Sequence, residues 1–331
     1  MIYVLNKFIH MKVTHCFNIN VSVQDSMPLI ADNKKTIKTI DCGNWWTIGN
    51  PIWIAADPFL FVHDNRLYLF YEDLHFYNYL GVIKMTCTTD LVHWTKPVVI
   101  THEPDCHFSY PFVFEDNGQV YMMPETGDQH NIRLYKADND ELTSFSLYRV
   151  IMKRDDIPSD MVYDFADSCI HKKDGKYYLF TSIQTVDQYY LNLYMADNLE
   201  GHYTEHPCSP IVTGDKLGRC AGSLLQYDCH LYRYAQDCSE AYGEQVHLLE
   251  IDELTPTSYR EHVVQENILP TNLPFYRKGG HQVNFANFKG KVLVATDAKC
   301  DRTFVLERIV GKILRMFKVK SKIAKRSGVT K

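Results

Sequence analysis

A short pattern of hydrophobic and polar positions recurs along the chain. In its first copy an apolar run, Ala56-Asp57-Pro58-Phe59-Leu60-Phe61, is followed by a polar turn and a second apolar run, Leu67-Tyr68-Leu69-Phe70. Two apolar runs joined by a short polar turn predict a β-hairpin. Asp57 is an ionisable residue at the start of the first predicted strand.

The same hairpin pattern returns four more times, at intervals of 53 to 60 residues, centred on Tyr121, Tyr178, Tyr232 and Val292. Strand-like segments lie between the copies. Repeats of about four strands with a period in the fifties predict a five-bladed β-propeller. An irregular β-sandwich with similar hairpins is the alternative, and the recurrence of glycine turns in register argues against it.

The repeats divide the chain into three segments. Residues 1–43 are expected to form a lead-in, residues 44–300 the propeller and residues 301–331 a basic tail. Apolar residues of the tail fall at helical spacing with Lys and Arg between them, which predicts a short basic amphipathic helix. The expected fold is therefore all-β, a five-bladed β-propeller followed by a C-terminal basic amphipathic helix.

Composition and charge narrow the classes of function. The N-terminus lacks the features of a signal peptide, and no stretch approaches the roughly 20 apolar residues of a membrane span. The ten cysteines form no CxxC pair, so we expect mostly reduced thiols in a cytoplasmic protein. Residues 308–331 carry nine Lys/Arg and no Asp/Glu. Because the net charge of the chain is −5, residues 1–307 carry a charge of −14.

This uneven charge suggests partners. An acidic body argues against nucleic-acid binding. The basic tail suits an anionic membrane surface, which would place the protein peripherally at the inner membrane. The alternative is a helix packed on the propeller with a solvated basic end.

Aligning the five copies gives two columns of residues at one mouth of the central channel. The first column, where the inner strands begin, contains Asp57, Tyr110, Asp167, Ala221 and His281. The second column, where the following strands end, contains Glu72, Glu125, Ser182, Gln236 and Thr296. Carboxyls this close should raise at least one pKa, as an acid/base site requires. For any single residue, hydrogen bonding to backbone donors is the competing explanation.

At these residues the chain resembles a known family. The phrases that carry the likeness are Ala56-Asp57-Pro58-Phe59, Ser109-Tyr110-Pro111-Phe112-Val113-Phe114-Glu115, Pro124-Glu125-Thr126, Ala235-Gln236-Asp237-Cys238-Ser239 and Glu253-Leu254-Thr255-Pro256-Thr257. They resemble the N-terminal propeller of plant glucosamine inositolphosphorylceramide transferases, which bacterial surface-polysaccharide proteins also carry. The hairpins also resemble the five-bladed propellers of glycoside hydrolase family 43.

The family 43 resemblance implies roles for three residues. Asp57 matches the general base, Asp167 the aspartate that orients substrate, and His281 the central histidine that helps hold calcium or water. A divalent cation such as calcium in the channel is thus a candidate cofactor, and a hydrogen-bonded core histidine is the alternative. The position of the general acid is Ala221-Gly222 in this chain, so the resemblance supplies no acid there.

The missing acid favours glycosyl transfer over hydrolysis. Hydrolysis needs a proton for a poor leaving group, whereas a nucleotide sugar or sugar phosphate needs a base for the acceptor hydroxyl and cations for the phosphate. Asp57 is the predicted base. Arg219, with Arg277 and Lys278, is a predicted phosphate clamp, and a salt bridge to Asp167 or Asp237 is the alternative for Arg219.

The predicted function is therefore sugar transfer in the assembly of a surface polysaccharide or glycolipid. A family-43-like hydrolase is the first alternative, with Glu125 or Asp237 as a replacement acid, and a non-catalytic glycan-binding propeller is the second. The predicted catalytic residues are Asp57, Asp167, Glu125 and Asp237. The predicted substrate-binding residues are Tyr110, Glu72, Arg219, Gln236, Arg277 and Lys278, and the candidate metal ligand is His281.

Overall fold

The computed structural model describes residues 14–31, 35–42, 52–75, 80–103, 105–156 and 164–302. Helical structure in these ranges consists of three single-turn 3-10 helices, at Gly127–Gln129, Arg154–Asp156 and Pro274–Tyr276. No helix among these residues is long and apolar enough to span a membrane. The predicted C-terminal amphipathic helix lies outside the described residues.

The strands follow the predicted hairpins. In chain order they are β1 (Thr14–Gln24), β2 (Lys35–Ile40), β3 (Ile52–His63), β4 (Arg66–His75), β5 (Gly81–Thr88), β6 (Val98–Val99), β7 (Ser109–Asp116), β8 (Gln119–Glu125), β9 (Asn131–Ala137), β10 (Phe145–Lys153), β11 (Asp164–Lys173), β12 (Lys176–Gln184), β13 (Tyr189–Ala196), β14 (Thr204–Glu205), β15 (Val212–Thr213), β16 (Arg219–Cys220), β17 (Leu225–Tyr227), β18 (His230–Asp237), β19 (Gln245–Leu254), β20 (Tyr259–Gln265), β21 (Val283–Phe288) and β22 (Lys291–Arg302).

The described strands form four hydrogen-bonded sheets. The eight-stranded sheet divides at the parallel contact of β1 with β3, which gives five antiparallel units. The first unit is β3–β6, the second β7–β10, the third β11–β15 and the fourth β16–β20, while the fifth joins β21 and β22 to β1 and β2. Each unit contains one predicted hairpin as its inner pair of strands. The predicted all-β propeller fold is thereby confirmed.

The fifth unit is completed by the N-terminal strand. β1 pairs antiparallel with β22 from Thr14↔Arg302 to Gln24↔Val292, and it meets β3 in parallel at Phe17↔Ile54. β2 pairs antiparallel with β1, from Ile19↔Ile40 to Val23↔Lys35. Residues expected as a lead-in therefore close the ring between the fifth and first units, and the propeller extends to at least Thr14 rather than starting at residue 44.

The recurring aromatic pattern reflects strands that are buried on both faces. The five residues from Leu67 to Tyr71 in β4 are each at most 1% exposed. Tyr68 and Phe70 pack into a core shared with Phe112 of the second unit, while the alternate residues pack with Leu293 of the fifth. Inner strands are apolar almost without interruption because each lies between two neighbouring units.

The closing strands bring two cysteines together. The sulfur of Cys42, just after β2, lies 3.5 Å from the sulfur of Cys300 in β22. Asn18 of β1 connects them, because its Oδ1 accepts from the Cys42 amide at 2.7 Å and its Nδ2 donates to the Cys300 sulfur at 3.3 Å. This arrangement fixes the end of β2 against β22.

We predict that dilute hydrogen peroxide will join Cys42 to Cys300. The two thiols lose two electrons and two protons, and the peroxide is reduced to two waters. Mass spectrometry without reduction should find the linked peptides, and the link should raise the unfolding midpoint because it closes a very long loop. Cys42→Ser is the control. Failure to link, or preferential oxidation of the fully buried Cys169 and Cys220, would contradict this ring closure.

Candidate active site

A bulge bends the inner strand at the start of each of the first three units. In the first unit the register shifts between Ala56 and Phe59, and the second and third units shift at the matching place. The first-column residue at each bulge has a left-handed backbone, with φ of 52° at Asp57, 44° at Tyr110 and 48° at Asp167. Bulges of this kind re-aim side chains next to functional sites.

The bulged residues connect each unit to the one before it. Their backbone amides donate to side chains of the preceding unit, as does the amide of Cys220 in the fourth. These bonds are Asp57 N to Asp297 Oδ2 (3.2 Å), Tyr110 N to Asp57 Oδ2 (3.0 Å), Asp167 N to Glu125 Oε2 (3.1 Å) and Cys220 N to Ser182 Oγ (3.2 Å). The two predicted columns therefore meet at one mouth of the ring.

The fourth unit departs from the predicted alignment. Arg219 pairs with Gln236, so Cys220 rather than Ala221 follows the paired residue, as Asp57 follows Ala56. Two extra residues are accommodated before the pairing resumes at Leu225. The shift places Cys220, rather than Ala221, at the position that corresponds to the general acid in the family 43 resemblance. Cys220 is not a carboxylic acid either.

His281 lies between two carboxylates at the junction of the fifth and first units. Its Nε2 is 3.2 Å from Asp57 Oδ1 and its Nδ1 is 2.9 Å from Asp297 Oδ2. Burial lowers the pKa of His281, but the charges and hydrogen bonds of Asp297 and Asp57 raise it well above its usual value. With a carboxylate beside each ring nitrogen, the protonated form of His281 is favoured.

The same three side chains are the group of described residues with metal-ligand spacing, since their donor atoms lie within 4.8 Å of one another. They do not fit a resident calcium ion. Calcium takes six to eight oxygen ligands, whereas this group offers two carboxylates and one ring nitrogen. Both oxygens of Asp297 already accept backbone amides, those of Asp57, His281 and Gln282. The alternative role, a hydrogen-bonded core histidine, fits His281 better.

The imidazolium keeps Asp57 ionised. Burial raises the pKa of Asp57, but the hydrogen bond and charge of His281 outweigh it, so the pKa lies below its usual value. The Tyr110 amide also favours the charged form. Asp57 is thus a carboxylate, as a general base requires.

Arg219 forms the salt bridge that sequence analysis left as its alternative. Its Nε pairs with Asp167 Oδ2, and its NH1 donates to the Tyr189 hydroxyl at 3.0 Å. Gln236 Nε2 donates to the same Asp167 oxygen at 2.6 Å. Burial raises the pKa of Asp167 and Arg219 opposes that rise. Arg219 is therefore committed to orienting Asp167, which differs from a free phosphate clamp.

The two glutamates of the second column are protonated more readily than usual. Burial and the charge of Asp167 raise the pKa of Glu125 to about 8, although Arg219 opposes them. Burial, with Asp57 and Glu125, raises the pKa of Glu72 well above its usual value. The Glu125 side chain is 18% exposed, so solvent can reach it. An ionised Asp57 and a protonated Glu125 form a pair of carboxyls whose pKa values are pushed apart.

Comparison with known proteins identifies the family. The chain matches the family described as "Glucosamine inositolphosphorylceramide transferase 1, N-terminal" over residues 25–281. The chain belongs to this family. It is 32% identical over 255 residues to glucosamine inositolphosphorylceramide transferase 1 of Arabidopsis thaliana, covering 75% of this chain and 31% of that protein.

A second relative and two solved structures complete the comparison. The Oryza sativa subsp. japonica protein of the same name is 33% identical over 219 residues, which cover 64% of this chain and 28% of that protein. The chain thus spans less than a third of the length of these curated relatives. The catalytic domain of Coprinopsis cinerea GH62 α-L-arabinofuranosidase is similar, with 10% identity, TM-score 0.53 and coverage of 74% and 91%. An exo-1,5-α-L-arabinanase from a bovine ruminal metagenomic library is also similar, with 13% identity and a TM-score of 0.52, covering 75% of this chain and 95% of that chain. Both likenesses concern the fold alone.

In this glucosamine inositolphosphorylceramide transferase family member, Tyr110 is a structural residue. It is fully buried, its hydroxyl donates to Gly222 O at 2.8 Å, and the hydroxyl accepts from Gly222 N at 3.1 Å. These bonds link the second unit to the fourth, which are not neighbours in the ring, so the side chain crosses the channel. Its hydroxyl is committed, which differs from the predicted contact with substrate.

The other predicted residues divide between the mouth and its surroundings. Asp237 Oδ1 accepts from Ser239 N at 3.0 Å and its Oδ2 lies 3.1 Å from His247 Nε2. Burial raises the pKa of Asp237, but the Ser239 hydrogen bonds lower it below its usual value. Asp237 thus suits fixing a loop better than donating a proton. Arg277 and Lys278 lie on the exposed surface just before buried His281.

Three side chains of the site were not predicted from the sequence, Asp297, Tyr189 and Tyr242. Asp297 follows the last member of the second column, and acidic residues also follow the first and fourth members, at Asp73 and Asp237. That repeated offset was a usable signal. Tyr189 starts β13, and Tyr242 lies in the loop between β18 and β19. Neither position belongs to the repeated hairpin, so the alignment of the repeats could not place these side chains.

We predict that Tyr110→Phe destabilises the fold by about 1–3 kcal/mol, because it leaves the buried amide and carbonyl of Gly222 without their partner. Urea unfolding followed by fluorescence measures the loss. Tyr121→Phe is the matched control, since this inner-strand hydroxyl makes no hydrogen bond within the described ranges. Equal losses in both variants would show that the Gly222 bridge contributes nothing.

The raised pKa of Glu125 predicts a pH-dependent stability. Between about pH 5 and 8 the folded protein keeps a proton that the unfolded chain has lost, so this contribution falls as pH rises through the folded pKa. The stability of the wild type relative to Glu125→Gln should fall by up to about 1.4 kcal/mol per pH unit. Urea titrations at several pH values test it, with exposed Glu141→Gln as control. A pH-independent difference would contradict the raised pKa.

Proposed function

We propose that this chain transfers a sugar in the assembly of a glycolipid or surface polysaccharide, from a nucleotide sugar or sugar phosphate. The observation that carries the proposal is the family match over residues 25–281, and the ionised Asp57 beside His281 supplies the base that transfer requires. Family membership supports the substrate class, because its curated relatives are named glucosamine inositolphosphorylceramide transferases. Since the chain covers under a third of those proteins, their activity comes to it as a proposal.

In the proposed reaction each charged group has one task. Asp57 accepts the proton of the acceptor hydroxyl, since His281 keeps its carboxylate ionised. Asp167, fixed by Arg219 and Gln236, orients the sugar hydroxyls. Protonated Glu125 donates to the leaving oxygen. Exposed Arg277 and Lys278 remain the proposed cations for the donor phosphate.

A family-43-like hydrolase is the second candidate. The observation that favours it is the neutral Glu125, which offers in the second unit the proton that the fourth unit lacks. Hydrolysis of an unactivated glycoside requires such an acid. In this candidate water replaces the acceptor hydroxyl at Asp57, and the rest of the site is unchanged.

The proposed location is the cytoplasmic surface of an anionic membrane. The nine Lys/Arg between Arg308 and Lys331 supply the attraction. A lipid acceptor at that surface would lie within reach of an enzyme held there. Sedimentation with vesicles containing anionic lipid, with and without residues 308–331, tests this placement, and binding that survives the truncation would contradict it.

We predict that the full chain forms glycosylated product from nucleotide-activated glucosamine or N-acetylglucosamine and an inositol phospholipid acceptor. Asp57→Asn should lower turnover by about 10²–10⁴, the usual contribution of a general base. Asp64→Asn, in the turn at the other end of the same hairpin, should leave turnover unchanged. Mass spectrometry of the lipid product is the measurement.

The outcomes separate the candidate functions. Release of free sugar from aryl glycosides, lost in Glu125→Gln, would identify the hydrolase. Glycan binding without turnover, unaffected by Asp57→Asn and Asp167→Asn, would identify a binding propeller. A folded protein that forms no product across a broad panel of donors and acceptors would overturn the proposed transfer.

A further inference from the structure

One aromatic side chain at the mouth is exposed although it contacts the buried charges. Tyr242, in the loop between β18 and β19, is 46% exposed. Its ring centroid lies 5.1 Å from the guanidinium carbon of Arg219 and 5.1 Å from the ring centroid of His281. Tyr242 is therefore an aromatic residue that contacts the charged cluster and is still accessible to solvent.

The position of this ring is fixed by its loop. Gly243 has φ of 65°, and a Cβ there would lie 3.3 Å from His281 Cβ and 3.3 Å from Lys299 Cε. The loop is closed by Asp237, whose backbone oxygen accepts from the Glu244 amide at 3.1 Å. This packing and this hydrogen bond hold the backbone that carries Tyr242 next to His281.

The two sides of the Tyr242 ring have different surroundings. Arg219 lies over the ring, and it lies over the Tyr189 ring as well, 5.3 Å from that centroid. Phe17 meets Tyr242 edge-on, at 6.2 Å and 77°. The cation stabilises the ring in this position, and Tyr242 remains 46% exposed despite these contacts.

We propose that Tyr242 is the stacking platform for a pyranose ring at this mouth. A pyranose has an apolar face of C–H groups and a rim of hydroxyls, which fits an aromatic surface bordered by a few polar groups. Arg219 lies over the Tyr242 ring, and its NH2 is 3.7 Å from Glu125 Oε2, so Arg219 connects the proposed platform to the acid. The inference rests on the proposed function, and it assigns the sugar subsite within it.

The test is binding of methyl glycosides by saturation-transfer NMR, with the methyl glycosides of glucosamine, N-acetylglucosamine, glucose, galactose and mannose as probes. Tyr242→Ala should weaken the tightest-binding probe roughly tenfold, because the ring contact is lost. Tyr242→Phe should stay within about twofold of the wild type, because the ring remains. Tyr227→Ala removes an exposed tyrosine from the strand β17 of the same unit and should have no effect.

Each outcome bears on the platform. Saturation should transfer mainly to the C–H protons of one sugar face. Binding that is unchanged in Tyr242→Ala, or lost equally in Tyr242→Phe, would overturn the proposal, as would a wild type that binds none of the probes. Melting curves check that every variant folds. If the probes bind through Tyr242 and no donor is turned over, the proposed transfer fails while the platform stands.

Discussion

The mouth depends on two buried cations that pair with carboxylates of neighbouring units. His281 of the fifth unit lies between Asp57 of the first and Asp297. Arg219 of the fourth unit pairs with Asp167 of the third. Without these cations the buried carboxylates would be left uncompensated, at a cost of several kcal/mol each. The same pairs therefore hold adjacent units together and permit a dense group of acids at the axis.

Because each cation is committed to an aspartate, the glutamates are left with little compensation. The contact of Glu125 with Arg219 NH2 is long, at 3.7 Å. The pKa of Glu125 is therefore raised. The neutral acid thus arises as a by-product of how the aspartates are stabilised. The family resemblance directed attention to the fourth unit for this acid, whereas the electrostatics favour the second. Different units can supply one chemical role because all of them converge on one mouth.

The sequence predicted the elements whose pattern repeats. The five hairpins and the two columns followed from turn chemistry and apolar runs, and Glu72, Glu125 and Asp167 lie where the alignment put them. The alignment was wrong in the fourth unit, whose register differs from that of the other copies. The extra residues after Cys220 shifted the fourth unit, because a bulge changes register without changing the apolar pattern. β1 has no repeated counterpart, and its partner β22 is remote, so only tertiary pairing reveals it. The roles of Arg219 and Tyr110 depended on cross-unit contacts that no spacing encodes.

The pairing of β1 with β22 also sets the order in which the molecule can become complete. Thr14 and Arg302 are neighbours in the sheet but lie at opposite ends of the described chain. The Asp57 amide likewise bonds to Asp297, 240 residues away. Contacts between such distant residues form late, because closing a long loop is entropically costly. In a nascent chain the edge of β1 that faces β22 therefore stays unpaired until β22 is made, and the charged mouth is complete only then.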